Sequence, residues 1–238
     1  MGEGFCMKNP LVSVIIPTYK EEKYIEATLR SIKNQDYKGK YEIIVVDSNS
    51  RDRTVEIAKK FADKVVITKK RGVSVGRNIG AKISKGNLLI FVDADTILLP
   101  NVITKVVKHL RKKSVVGVVV PIICDDLVDN IFYFTASWVY YLLTKLRLHP
   151  VYAVCFGCKR EAFFQVGGFD ERLHVGEDID LGSRLKKLGD VEYIKDTFAI
   201  TSSRRIKRWK VFKQLKAWPL GYFSFKLLNK QPKYPPVR

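Results

Sequence analysis

The chain has 238 residues, 46% of them hydrophobic, which suits one large domain with a full core and excludes wholesale disorder. Its 43 Lys and Arg against 24 Asp and Glu leave a formal net charge of +19; such a field draws nucleic acid, anionic lipid or phosphorylated substrates, and a lysine-rich solvated surface produces it equally well. No apolar run reaches the roughly 20 residues of a membrane-spanning helix, and the mixed segment before Leu11 does not read as a signal peptide, so a cytoplasmic protein is expected.

Residues 11–16 are an apolar, β-branched run closed by Pro17 and read as a buried strand. Residues 22–33 follow as a helix with Ile25, Leu29 and Ile32 on one face. A second buried strand over 41–46 ends at Asp47, Ser48-Asn49-Ser50 supplies turn chemistry, and 54–61 is a helix faced by Val55, Ala58 and Phe61. Next come a short strand over 64–67, a helix with small residues at helical spacing over 73–85, and a strand over 88–92 followed directly by Asp93. A helix over 101–112 and a strand over 115–120 complete the regular half. Beyond it, 129–147 is predicted as an aromatic helix, 151–168 as a strand with a Gly-rich turn, and 178–188 as a helix stopped at Gly189. Short strands are predicted over 191–194 and 198–200. From Arg204 the chain turns basic and aromatic, an extension over 204–238 of a single domain spanning 1–238.

Strands alternating with helices imply an α/β fold with a mainly parallel sheet flanked by helices. Ligands bind such a sheet beyond the carboxyl ends of its strands. The polar residues that follow each strand should therefore share one crevice: 18–21, 47–49 and 93–95.

Asp93-Ala94-Asp95 is the first candidate site within it. A turn at a strand end can converge both carboxylates on Mg²⁺ or Mn²⁺, which take oxygen ligands and leave positions for phosphates; an ordinary polar turn has the same composition. Glu177-Asp178, after the turn residue Gly176, is a second acidic pair. Acids are favoured in a first helical turn by the macrodipole, and a carboxylate there could also serve as a general base. The segment Gly72 to Gly80 matches neither G-x-G-x-x-G nor a P-loop, so its small residues point to close helix packing. Arg77 within it is either an anion contact or an exposed arginine. Arg204-Arg205 and Arg208-Trp209 suit pyrophosphate or a solvated basic face. The residues after 204, and the apolar stretch 131–143, could also lie on a membrane surface. Cys155 and Cys158 form a lone C-x-x-C without further zinc ligands, read as two partly buried thiols or a local disulfide.

Taken in order, these motifs resemble the family 2 inverting glycosyltransferases of the nucleotide-sugar-binding GT-A fold. The matching segments are Val12-Ser13-Val14-Ile15-Ile16-Pro17-Thr18-Tyr19-Lys20-Glu21, Glu42-Ile43-Ile44-Val45-Val46-Asp47 and Gly76-Arg77-Asn78-Ile79-Gly80. Phe91-Val92-Asp93-Ala94-Asp95, Gly167-Gly168-Phe169-Asp170-Glu171 and Glu177-Asp178-Ile179-Asp180-Leu181 complete the set. The resemblance implies that Pro17, Thr18, Tyr19 and Glu21 line the nucleoside pocket, that Asp47 contacts the base, and that Arg77 lies near the diphosphate. It implies that Asp93 touches ribose or metal, that Asp95 binds Mn²⁺ or Mg²⁺, and that residues 167–170 border the acceptor site. Asp178 would be the catalytic base, with Glu177 beside it, and Arg204 or Arg205 would offset charge on the departing nucleoside diphosphate.

The implied activity is transfer of a single sugar from a nucleoside-diphosphate sugar to a glycan or lipid-linked hydroxyl acceptor, with peripheral contact at the inner face of the cell membrane. Where processive relatives carry Q-x-x-R-W, this chain keeps only Arg208-Trp209, which favours single transfer over polymer synthesis. The rivals are a nucleotidyltransferase on a similar sheet and a basic nucleic-acid-binding protein; the ordered carboxylates argue against the second, and no nucleic acid partner is expected.

Overall fold

The computed structural model describes residues 9–126, 154–173 and 176–204. The predicted 129–147 helix, the 131–143 membrane face, Arg205, Arg208 and the rest of the basic extension lie outside the described residues.

Strands β1 (Val12–Thr18), β2 (Tyr41–Asp47), β3 (Lys64–Ile67) and β4 (Leu88–Val92) alternate with helices α1 (Ile25–Lys33), α2 (Thr54–Lys59) and α3 (Val73–Ile83). Two short strands were not foreseen, β5 (Thr96–Leu98) and β7 (Ile122–Cys124), and between them lie α4 (Val102–Leu110) and β6 (Val115–Val119). The second half adds β8 (Cys155–Lys159), α5 (Arg160–Gln165), α6 (Glu177–Leu185), β9 (Asp190–Tyr193) and β10 (Ala199–Thr201). Helix α5 falls inside the stretch read as strand and turn; at six residues it has too little length for a periodic signal.

Among the described residues seven strands form one sheet in the order β3-β2-β1-β4-β8-β6-β9. Its β3-β2-β1-β4 half is parallel throughout, while β8 runs antiparallel to both β4 and β6. The chain moves outward from β1 to β3 and returns to β4 on the other side of β1. That reversal makes the β1/β4 boundary a switch point, where a crevice opens beyond the strand ends. Strand β1 runs two residues past its predicted end. It pairs with β2 through Thr18, but its ladder with β4 stops at Ile15, so Pro17 sits where one side of the strand has no partner.

The strands are apolar on both faces because both are covered. One face carries Val12, Val14, Ile16, Val45 and Ile90 against α1 and α4; the other carries Ile15, Ile44, Val46, Leu89 and Phe91 against α5, α6 and Ala81 of α3. Helix α3 crosses close over β1, as its small residues predict. A Cβ on Gly76 would stand 2.9 Å from Pro17 Cβ, and one on Gly80 would overlap the Ile15 side chain. Cys155 and Cys158 are buried free thiols facing opposite sides of the sheet, so the disulfide reading fails: three residues apart on a strand, the two cannot meet. Burial pushes both thiols far above the ordinary cysteine range. No helix among the described residues is long and apolar enough to cross a membrane.

A smaller sheet, β5-β10-β7, lies beside the main one and leads the chain back to the site. Its three strands have three residues each, and the last, β10, ends three residues before Arg204.

Candidate active site

The crevice beyond β1, β2 and β4 holds most of the residues singled out by sequence. Asp47, at the end of β2, is fully buried. Its carboxylate accepts hydrogen bonds from Thr18 Oγ1 at 2.9 Å, Ser50 N at 2.7 Å and Ser50 Oγ at 2.6 Å. Two carboxylate oxygens offer about four acceptor positions, and three of them are taken within the chain. Asp47 thus braces the strand ends as its main structural task, and Thr18, also buried, faces Asp47. The backbone beyond each strand is unusual at one residue, Lys20 with φ 58° and Asn49 with φ 60°. Such left-handed non-glycine residues persist where surrounding bonds hold them; here Lys20 N donates to Ser50 Oγ at 2.8 Å. Tyr19 presents its ring to Arg71 and Lys20, whose cations lie 5.1 and 5.7 Å from its centroid.

The Asp93-Ala94-Asp95 turn is fixed from three sides. Asp93 N donates to Val154 O, Thr96 N donates to Asp93 O, and Thr28 Oγ1 of α1 donates to Ala94 O at 2.8 Å. Each of its two carboxylates meets an arginine. Arg77 Nη2 donates to Asp93 Oδ1 at 2.8 Å, and Arg204 Nη2 lies 2.8 Å from Asp95 Oδ2.

Arg77 is the larger surprise. Its side chain is 3% exposed, which rules out the solvated-arginine alternative. Its other terminal nitrogen reaches Glu177 Oε1 at 3.1 Å, and its guanidinium lies over the Phe169 ring at 5.1 Å. Arg77 therefore joins the acidic turn after β4 to the first turn of α6. One acid from each of the two pairs read separately in sequence, Asp93 and Glu177, faces this one cation. Asp178 follows Glu177 in that first turn and accepts from Ile179 N at 2.8 Å. Asp180, the third acid of the turn, pairs with Arg184 at 2.6 Å.

Glu21, on the loop after β1, accepts from both terminal nitrogens of Arg204, at 2.7 and 2.8 Å. Burial raises its carboxyl above the ordinary value, with the Asp95 and Asp93 charges adding to the effect and Arg204 opposing it. For Arg204, burial works against the charge, but the Glu21 hydrogen bonds and the Asp95 charge outweigh it and hold the guanidinium protonated.

Sequence reasoning gave no role to Asn78 or Tyr24 and placed Phe169 only at the acceptor border. Asn78 clamps the glycine turn: its Oδ1 accepts from Phe169 N and its Nδ2 donates to Phe169 O, both at 2.9 Å. Phe169 is the platform for Arg77. Tyr24 lies beneath Arg204, 4.6 Å from ring centroid to guanidinium. Only Asn78 left a sequence signal, an amide next to an arginine between the close-packing Gly76 and Gly80. The 167–170 loop does border a cavity, one of about 660 Å³ lined by residues such as Phe164, Arg172 and Arg184, and not by the strand-end carboxylates.

The family model described as Glycosyl transferase family 2 matches residues 13–166, well over half of the chain. The chain belongs to glycosyl transferase family 2. An uncharacterized glycosyltransferase of Haemophilus influenzae is 26% identical over 182 residues, covering 71% of this chain and 60% of that protein. Among solved structures, the mannosyltransferase PcManGT from Pyrobaculum calidifontis, in complex with GDP-Man and Mn²⁺, superposes with a TM-score of 0.71 at 22% identity. It covers 96% of this family 2 chain and 67% of the mannosyltransferase. S. aureus TarS 1-349 in complex with UDP-GlcNAc gives a TM-score of 0.66 at 18% identity, over 91% of this chain and 73% of that one. The fold is GT-A. The family 2 chain spans about three fifths or less of the length of the first curated relatives it matches.

Proposed function

We propose that this family 2 chain transfers a single sugar, with inversion, from a nucleoside-diphosphate sugar to a hydroxyl of a glycan or lipid-linked acceptor, assisted by Mn²⁺ or Mg²⁺. The observation that carries the reading is the convergence of Glu21, Asp93, Asp95 and Glu177 on Arg77 and Arg204 beyond the ends of parallel strands. Family membership favours sugar transfer over the nucleotidyltransferase and nucleic-acid readings. The complexes of PcManGT with GDP-Man and Mn²⁺ and of TarS with UDP-GlcNAc support a nucleotide-sugar donor here by analogy of fold.

The residues fit a divalent ion. Four carboxylates, those of Glu21, Asp93, Asp95 and Glu177, gather around Arg77 and Arg204 among the described residues, a set of hard oxygen donors. Among the described residues no three potential ligand side chains converge to hold an ion by themselves. A hard cation needs only one or two carboxylates when donor phosphates supply the rest. Asp95 and Asp93 would hold it, and its chemistry would be to offset charge on the departing diphosphate.

The remaining roles fall to the chain itself. Pro17, Thr18 and Tyr19 border the nucleoside, with Asp47 bracing them and offering its remaining acceptor position to the base. Arg204 and Arg205 are the proposed diphosphate contacts; Arg77 acts from beneath as the strut that holds Asp93. Asp178 takes the proton of the acceptor hydroxyl as that oxygen bonds to the anomeric carbon from the face opposite the donor phosphate. The bond from the anomeric carbon to the phosphate oxygen breaks, and nucleoside diphosphate leaves.

Calorimetric titration of a nucleotide-sugar panel with and without Mn²⁺ tests the donor site. One donor is expected to bind in a metal-dependent way, and Asp95→Asn is expected to weaken it by about tenfold or more. Equal donor affinity for Asp95→Asn and wild type would remove Asp95 from the ligand set.

A further inference from the structure

Arg204 stands where two buried carboxylates require a cation. Its Nη2 lies 2.7 Å from Glu21 Oε1 and 2.8 Å from Asp95 Oδ2, bridging two anions whose side chains are 13% and 6% exposed. Removing both carboxylates from water without a counter-charge would cost several kcal/mol, so some cation must accompany them whenever both are ionised.

We infer that Arg204 is a resident counter-ion that competes with the divalent ion for Asp95, so that loading the donor site displaces its guanidinium. The inference rests on the metal-site reading above. A metal bound to Asp95 lies about 2.1 Å from its oxygen. With Arg204 in its present place, a metal on the same Oδ2 would lie no more than about 5 Å from the guanidinium nitrogen, a repulsive arrangement in a partly dry site.

Two further observations indicate a second resting place for the guanidinium. Arg204 Nε is buried without a hydrogen-bond partner, a donor left unused in this arrangement and available to an anion in another. The mount behind it is local and specific. Ser203 N donates to Asp125 Oδ1 at 2.8 Å, and Asp125 N donates to Thr201 O at 3.1 Å, so the turn after β10 is pinned to the end of β7. Arg204 holds Glu21 and Asp95 from that turn, with the Tyr24 ring behind it. Freed from Asp95, the same side chain carries its unused donor toward the diphosphate. Asp125 is thereby a positioning residue for Arg204.

The test uses Mn²⁺ alone and the full chain, with bound ion read from loss of the free Mn²⁺ paramagnetic-resonance signal. Arg204→Gln is expected to bind Mn²⁺ about tenfold more tightly than wild type, Arg204→Lys to stay closer to wild type, and Asp95→Asn to lose binding. Asp125→Ala leaves the carboxylate cluster intact and loosens the mount, so it should shift affinity the same way by about threefold. It carries the test if Arg204→Gln does not fold, as judged by thermal unfolding. Unchanged or weaker Mn²⁺ binding in Arg204→Gln, or in Asp125→Ala where it stands in, with Asp95→Asn still abolishing it, overturns the competition and leaves the metal site standing. Absence of Mn²⁺ binding in wild type and in both loosened variants overturns the competition, and the donor titration with and without Mn²⁺ then decides the metal reading.

Discussion

Asp178→Asn is expected to reduce sugar transfer by roughly 10²- to 10⁴-fold while leaving donor affinity within about twofold of wild type, the loss a general base contributes. Asparagine keeps the size of aspartate, and its amide oxygen can still accept the Ile179 backbone N–H that Asp178 holds at 2.8 Å. It cannot take a proton. The other two acids of the same helical turn cannot readily substitute: Glu177 is bound to Arg77 and Asp180 to Arg184. Turnover by single-turnover kinetics and donor affinity by calorimetry separate the two effects. An asparagine variant with near-normal turnover would move the base elsewhere.

Arg77→Ala should be the most damaging substitution to the folded state. It leaves Asp93 and Glu177 facing each other without the cation between them, and it empties the space over Phe169. Breaking a buried charge cluster from one side costs about 3–5 kcal/mol, which in a chain of this size lowers the melting temperature by roughly 10 °C. Arg77→Lys should recover only part, because an ammonium does not reproduce the planar fork that reaches both carboxylates. Adding Glu177→Gln to Arg77→Ala should restore some of the loss, since one uncompensated charge is removed; denaturant unfolding of single and double variants measures that coupling. A cost below about 1 kcal/mol for Arg77→Ala would mean that the triad carries little of the fold.

The parallel half of the sheet was legible in the chain because its strands are covered on both faces. Continuous runs such as Ile43 to Val46 and Leu88 to Val92 carry that signal, and the strand-end rule then placed Thr18, Asp47 and Asp93 in one crevice. Gly76 and Gly80 read correctly as close-packing residues. Other features were not legible for physical reasons. Strands β5 and β7 are three residues long, too short for alternation to show. Each is defined by its pairing with β10, distant in sequence, a strand that the sequence did indicate.

Ion pairing was hidden as well. Arg77 could have been a surface arginine until the fold placed Asp93 and Glu177 on its two sides. Glu21 and Arg204 meet across 183 residues, a distance no local pattern spans. Asp47 shows the opposite limit. Its position was predicted correctly, but the bonds from Thr18 and Ser50 that engage most of its carboxylate depend on turn geometry.

The crevice described here accounts for function only if its carboxylates serve a reaction at the anomeric carbon of a nucleotide sugar. The most direct measurement incubates the chain with Mn²⁺, the nucleotide sugar that binds and a hydroxyl acceptor, then identifies the released nucleotide by chromatography and the new linkage by proton NMR. Release of nucleoside diphosphate with an inverted anomeric centre is the predicted result. Release of pyrophosphate, or retention of the donor configuration, would contradict the account.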